Sequence, residues 1–133
     1  MNKKETGLNQ RFSNFEKTVK LLERTLQIAN PSEAEKAGLV QFYEMSFELA
    51  WKMLKDKLES EGFIVKSPRD AIKTAYQAEY IGNGYAWLDA LNDRNLTAHI
   101  YDEEVSEEII YKIRTQYFQI INELYSTFKN ELS

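Results

Sequence analysis

The sequence predicts an all-α protein: an up-and-down bundle with a four-helix core and one additional short helix. Three observations lead there. The 133 residues hold only 5 Gly and 2 Pro, too few for the many tight turns of a sandwich or barrel. Apolar residues recur at spacings of three and four, the period of a helix face. Polar start signals and a glycine stop divide those stripes into segments. The 43% hydrophobic and 13% aromatic content also excludes a disordered chain. At this length the whole of residues 1–133 reads as a single domain.

The first stripe is Phe12, Phe15, Val19, Leu22 and Leu26. It should end near Asn30-Pro31, because proline disfavours helical geometry in the residue before it. Ser32-Glu33-Ala34-Glu35 then reads as a capping box. The second helix follows through Tyr43, Phe47, Ala50, Trp51, Leu54 and Leu58, and Gly62 is its left-handed stop. Ser67-Pro68-Arg69-Asp70 starts a short helix, with Ser67 as N-cap and Pro68 at the first helical position. Ala71, Ile72, Ala75 and Tyr76 should form its buried face. After the turn-prone Ile81-Gly82-Asn83-Gly84, a helix over 84–98 carries Trp87, Leu88 and Leu91. Ser106-Glu107-Glu108 should open the last long helix, with acids where the macrodipole favours them. Its stripe is Ile110, Ile113, Tyr117, Ile120 or Ile121, Leu124 and Phe128.

Charge and composition narrow the function classes. Seventeen Lys and Arg stand against 21 Asp and Glu, a formal charge of -4. Broad non-specific nucleic-acid binding, which rests on a basic overall field, is therefore disfavoured, while a small local RNA site is allowed. The absence of Cys excludes disulfides, a thiolate nucleophile and thiolate-ligated metals. The N-terminal residues are polar, without a signal-peptide core, and no apolar run approaches a bilayer-spanning length. A cytoplasmic location is expected, with no membrane partner.

His99 is the sole histidine, so it alone has an ordinary pKa suited to proton transfer near neutrality. A lone histidine also commonly serves as a cap or a surface residue. With no second His, and with Asp102, Glu103 and Glu104 crowded into a loop, a metal site is not expected. Arg94 stands five residues earlier, about 140° away on a continuous helix. The two converge only if the helix ends near Ala98 or if the site is shared across a dimer axis. An Arg and a His without metal suit attack of a ribose 2′-hydroxyl on the adjacent phosphate: imidazole moves the proton and guanidinium offsets the phosphoryl charge. Asn95 would orient the phosphate or the imidazole. The plain alternative is that Arg94 pairs with Asp93, Asp102 or Glu103 and only fastens the loop. Glu44, Glu48 and Lys52 recur at i, i+4 beside Phe47 and Trp51. Glu48 and Lys52 are candidates for substrate binding, or simply a helix-stabilising pair. The aromatic residues on the stripes read as core or dimer interface rather than base-stacking platforms.

Two stretches taken together resemble a known family. One is Phe47-Glu48-Leu49-Ala50-Trp51-Lys52-Met53-Leu54-Lys55-Asp56 with the later Ser67-Pro68-Arg69; the other is Arg94-Asn95-Leu96-Thr97-Ala98-His99-Ile100-Tyr101. The combination resembles the nucleotidyltransferase substrate-binding branch of the HEPN superfamily, over most of the chain. The resemblance implies a homodimeric bundle in which the Arg and His motifs of two protomers line a shared cleft. It implies a minimal nucleotidyltransferase as partner. In several such pairs the HEPN protein is a metal-independent RNase toxin and the nucleotidyltransferase its antitoxin. On that pattern Arg94 binds the scissile phosphate, His99 is the general acid or base, and Asn95 fills the polar position after the Arg. Tyr101 matches the tyrosine that the partner adenylylates in some pairs, which places bulk and negative charge over the site. No cofactor is implied. The family's older name supports an alternative, a non-catalytic subunit that binds a substrate or nucleotide for a separately encoded catalytic nucleotidyltransferase. The chain lacks the Gly-Ser motif with paired Asp residues of such enzymes, so transfer chemistry belongs to the partner. A third possibility is a dimeric scaffold in which Arg94 and His99 only cap and pair.

Overall fold

The structure, a computed structural model, describes residues 3–97 and 103–132. Its regular elements are all helical: α1 (Lys3–Leu26), α2 (Glu33–Ser60), α3 (Pro68–Gln77), α4 (Gly84–Leu96), α5 (Glu103–Lys112), a π turn (Ile113–Tyr117) and α6 (Phe118–Leu132).

Local chemistry sets most of the boundaries. The Ser32 hydroxyl accepts from Glu35 N–H at 3.1 Å while Ser32 N–H donates to the Glu35 carboxylate at 2.8 Å, closing the expected capping box. At the far end of α2, Gly62 takes φ +94°. Its N–H reaches Glu59 O, and Phe63 N–H reaches Leu58 O at 3.0 Å, the paired bonds of a Schellman stop. Ser67 caps α3 through Asp70 N–H at 3.0 Å, with Pro68 in the first turn, where its missing N–H costs nothing. Asn83 caps α4 through Ala86 N–H at 3.2 Å.

Contacts between helices give their directions. Arg11, early in α1, pairs with Asp56, late in α2, so these two run antiparallel. Lys36 pairs with Glu107 at 2.6 Å and Lys57 with Glu131 at 3.6 Å, so α5–α6 runs alongside α2 in the same sense. Along α4, Trp87 packs on Phe47 and Ala90 on Tyr43, so α4 runs against α2. The long elements therefore alternate as an up-and-down helical bundle, with α3 filling the end where α2 stops.

The core is a continuous cluster drawn from these elements, including Phe15, Leu22, Tyr43, Phe47, Leu54, Ile72, Trp87, Ile113, Tyr117 and Ile121. Each such side chain contributes about 1.5–3 kcal/mol when fully buried. An aromatic row runs through it: Trp87 to Phe47 (5.9 Å between centroids), Phe47 to Tyr43 (6.2 Å) and Tyr43 stacked on Tyr117 (5.6 Å).

Three expectations are corrected. The last helical stretch begins at Glu103, three residues before Ser106, and a π turn interrupts it. Tyr76 does not join the buried face of α3; it is 53% exposed. Its ring lies over Gly84, where a Cβ would stand 3.1 Å from Cδ2, so it covers the start of α4 instead of entering the core. Finally, α4 ends at Leu96 rather than at residue 98.

Candidate functional site around Arg94

Arg94 lies in the last turn of α4 and Glu48 in the middle of α2, and the antiparallel packing of these helices brings them together. Arg94 Nη2 donates to Glu48 Oε2 at 3.5 Å. The same carboxylate accepts from Trp51 Nε1 at 3.0 Å and lies 3.4 Å from Lys52 Nζ. The structure thus joins two groups of sequence candidates, Arg94 with Glu48 and Lys52, into one cluster. Glu48 and Lys52 also form the expected i, i+4 pair. Arg94 has Glu48 as its carboxylate partner rather than neighbouring Asp93, because α4 turns Asp93 inward.

The Arg94 guanidinium is incompletely matched. Its Nε is buried without a hydrogen-bond partner among the described residues. A lost donor of this kind costs about 1–3 kcal/mol, and the guanidinium fork is shaped to give two parallel bonds to one phosphate or carboxylate. Asn95, the next residue, is exposed. Thr97 Oγ1 donates to the Arg94 carbonyl at 2.6 Å and holds the final turn. A groove of about 240 Å³ opens beside Thr97, lined also by Val40, Gln41 and Glu44 of α2.

His99 and Tyr101 lie outside the described residues. α4 itself ends at Leu96, with Thr97 as its C-cap.

Beneath Arg94 lies a buried polar group that the sequence reading did not select as functional. Asp93 Oδ2 accepts from Tyr117 Oη at 2.5 Å and lies 3.6 Å from Lys112 Nζ. Tyr43 Oη donates to Ala90 O at 2.6 Å. Burial raises both tyrosine pKa values well above the ordinary range, and for Tyr117 the hydrogen bond to Asp93 adds to the effect. The available signal was Tyr117 on the core stripe, since a buried tyrosine hydroxyl requires a partner. No group of three or more His, Cys, Asp or Glu side chains among the described residues is placed to hold a metal. None of the described helices is long and apolar enough to cross a membrane.

Comparison with known proteins adds a relationship. A crystal structure of a Thermus thermophilus protein matches with a TM-score of 0.77 at 27% identity, covering 85% of this chain and 97% of that one. A curated relative, "Probable ribonuclease HepT" of Haemophilus influenzae, is 28% identical over 82 residues. That match takes in 58% of this chain and 56% of the relative, so the chain spans about half the relative's length. Residues 10–130 match the family described as "Nucleotidyltransferase substrate binding protein like". With nearly the whole bundle inside that match, the chain belongs to this family, the nucleotidyltransferase substrate-binding branch of the HEPN superfamily.

Proposed function

We propose that the chain is the HEPN partner of a minimal nucleotidyltransferase and acts as a homodimeric, metal-independent endoribonuclease of the toxin type. The observation that carries this reading is Arg94: a permanent cation in the last turn of α4 that, among the described residues, pairs with Glu48 at 3.5 Å and leaves its Nε without a partner. The ribonuclease name of the Haemophilus influenzae relative supports the same reaction.

In this mechanism Arg94 forks onto the non-bridging oxygens of the scissile phosphate. His99 takes the proton from the ribose 2′-hydroxyl, O2′ bonds to phosphorus, and the bond from phosphorus to O5′ breaks. The leaving O5′ takes up a proton, so the products are a 2′,3′-cyclic phosphate and a 5′-hydroxyl. Asn95 orients the phosphate, and Lys52 supplies a second cation, with Glu48 as the counter-ion of both. A two-fold axis brings the Arg94 and His99 segments of both protomers to a common cleft. Adenylylation of Tyr101 by the nucleotidyltransferase, acting as antitoxin, silences the site through bulk and charge.

The test is cleavage of total tRNA and a messenger RNA in EDTA by wild type and by His99→Ala. Wild type should cut and the folded variant should not; cleavage that persists in the variant overturns the assignment. The family description favours a second reading, in which the cleft is a non-catalytic nucleotide- or substrate-binding site that serves the nucleotidyltransferase. Two folded, inactive proteins in the same assay would select it.

A further inference from the structure

Asp93 is the one buried carboxylate among the described residues, and it immediately precedes Arg94. A carboxylate taken from water needs partners, or its burial is costly. Its partners, Lys112 and Tyr117, are five residues apart and both approach the same oxygen, Oδ2. On an α-helix, residues five apart point about 140° away from each other and would not reach a single atom. The π turn removes that obstacle. Phe118 N–H bonds to Ile113 O, the i to i+5 pattern of a π turn, and this wider turn brings Lys112 and Tyr117 to one side.

Tyr117 is braced in turn. Its ring stacks on Tyr43 at 5.6 Å and 16°, and the Tyr43 hydroxyl binds Ala90 O, one turn before Arg94. The two tyrosines, one from α2 and one from the π turn, thus grip the end of α4 at Ala90 and Asp93. Thr97 ties the Arg94 carbonyl from the other side.

We propose that the π turn is a positioning device: it brings Tyr117 and Lys112 onto Asp93 and thereby fixes the last turn of α4, holding Arg94 where its guanidinium meets a phosphate. Tyr117 and Asp93 are positioning residues that act through Arg94. This rests on the reading of Arg94 as the phosphate-binding group.

Tyr117→Phe keeps the ring and its stack and removes only the hydroxyl. The experiment is a double-mutant cycle with Arg94→Ala, read as affinity for a non-cleavable 2′-O-methyl oligoribonucleotide. Tyr117→Phe should weaken binding about fivefold in the wild-type background, the scale of one hydrogen bond, and not at all once Arg94 is absent. Equal weakening in both backgrounds, or none in either, overturns the proposal, because a purely structural role acts regardless of Arg94. A second readout needs no RNA. The Arg94 Nε–H resonance should shift and broaden in Tyr117→Phe, and an unchanged signal also overturns the proposal. If wild type does not bind the oligonucleotide, the RNA reading falls while the resonance still decides the positioning claim.

Discussion

The Glu48 carboxylate of α2 meets the Arg94 guanidinium of α4 at 3.5 Å, although 46 residues separate them in the chain. Both side chains are about a third exposed, at 36% and 34%, so water screens the pair and its contribution to stability is small. On the proposed reading of Arg94 as the phosphate-binding group, its effect on ligand binding is larger, because a phosphate arriving there would compete with Glu48.

Glu48→Gln should therefore change unfolding free energy by less than about 1 kcal/mol while tightening binding of a non-cleavable RNA oligonucleotide a few-fold at low salt. Titration of the variant beside wild type checks this. Weaker binding by the variant would show that Glu48 holds Arg94 in its productive position instead of competing for it.

The two buried tyrosines give the fold an alkaline limit. Burial holds Tyr43 and Tyr117 protonated above the ordinary tyrosine range, with Asp93 reinforcing the effect at Tyr117. In the unfolded chain tyrosines ionise near pH 10. Above that pH the folded state keeps protons that the unfolded state releases, so stability is full below about pH 10 and falls as pH rises. Each group contributes a slope of about 1.4 kcal/mol per pH unit. Denaturant unfolding across the alkaline range should give a shallower slope for Tyr117→Phe than for wild type, and equal slopes would contradict the assignment.

The ends of α2 and α3 form a natural comparison. Both close with Schellman bonds, with Gly62 at φ +94° in one and Glu79 at φ +64° in the other. Glutamate has a Cβ that strains this left-handed conformation, and glycine does not. Glu79→Gly should stabilise the protein by up to about 1 kcal/mol, and Gly62→Ala should destabilise it by about 1 kcal/mol. Nothing lies within 4 Å of a Cβ at Gly62, so the cost there is backbone strain alone. Chemical denaturation of both variants checks the pair, and the same sign for both would contradict the argument.

These examples also show what the sequence could express. The Ser32–Glu35 box, the Ser67 cap and Gly62 are local signals, and each forms as its residues predict. The apolar stripes likewise lead to the core, because burial follows helical period. Ile120 and Ile121, alternatives on the last stripe, are both buried, because positions three and four after Tyr117 share one helix face. The π turn itself has no residue signature, and so the meeting of Lys112 and Tyr117 on Asp93 was not legible. Glu48 with Arg94 was hidden for another reason. Surface charges on separate helices carry no periodic pattern that tells which will meet. The identity of Arg94 as a candidate came from its motif, while its partner required the packing of α4 against α2.

The most direct test of the central claim is to identify the ends of RNA cut in EDTA by the purified protein. Attack by the 2′-hydroxyl predicts a 2′,3′-cyclic phosphate on one fragment and a 5′-hydroxyl on the other, with cleavage abolished by a 2′-deoxy substitution at the scissile nucleotide and by Arg94→Ala. Fragments bearing 5′-phosphate and 3′-hydroxyl ends, or cutting that survives the 2′-deoxy substitution, would contradict it.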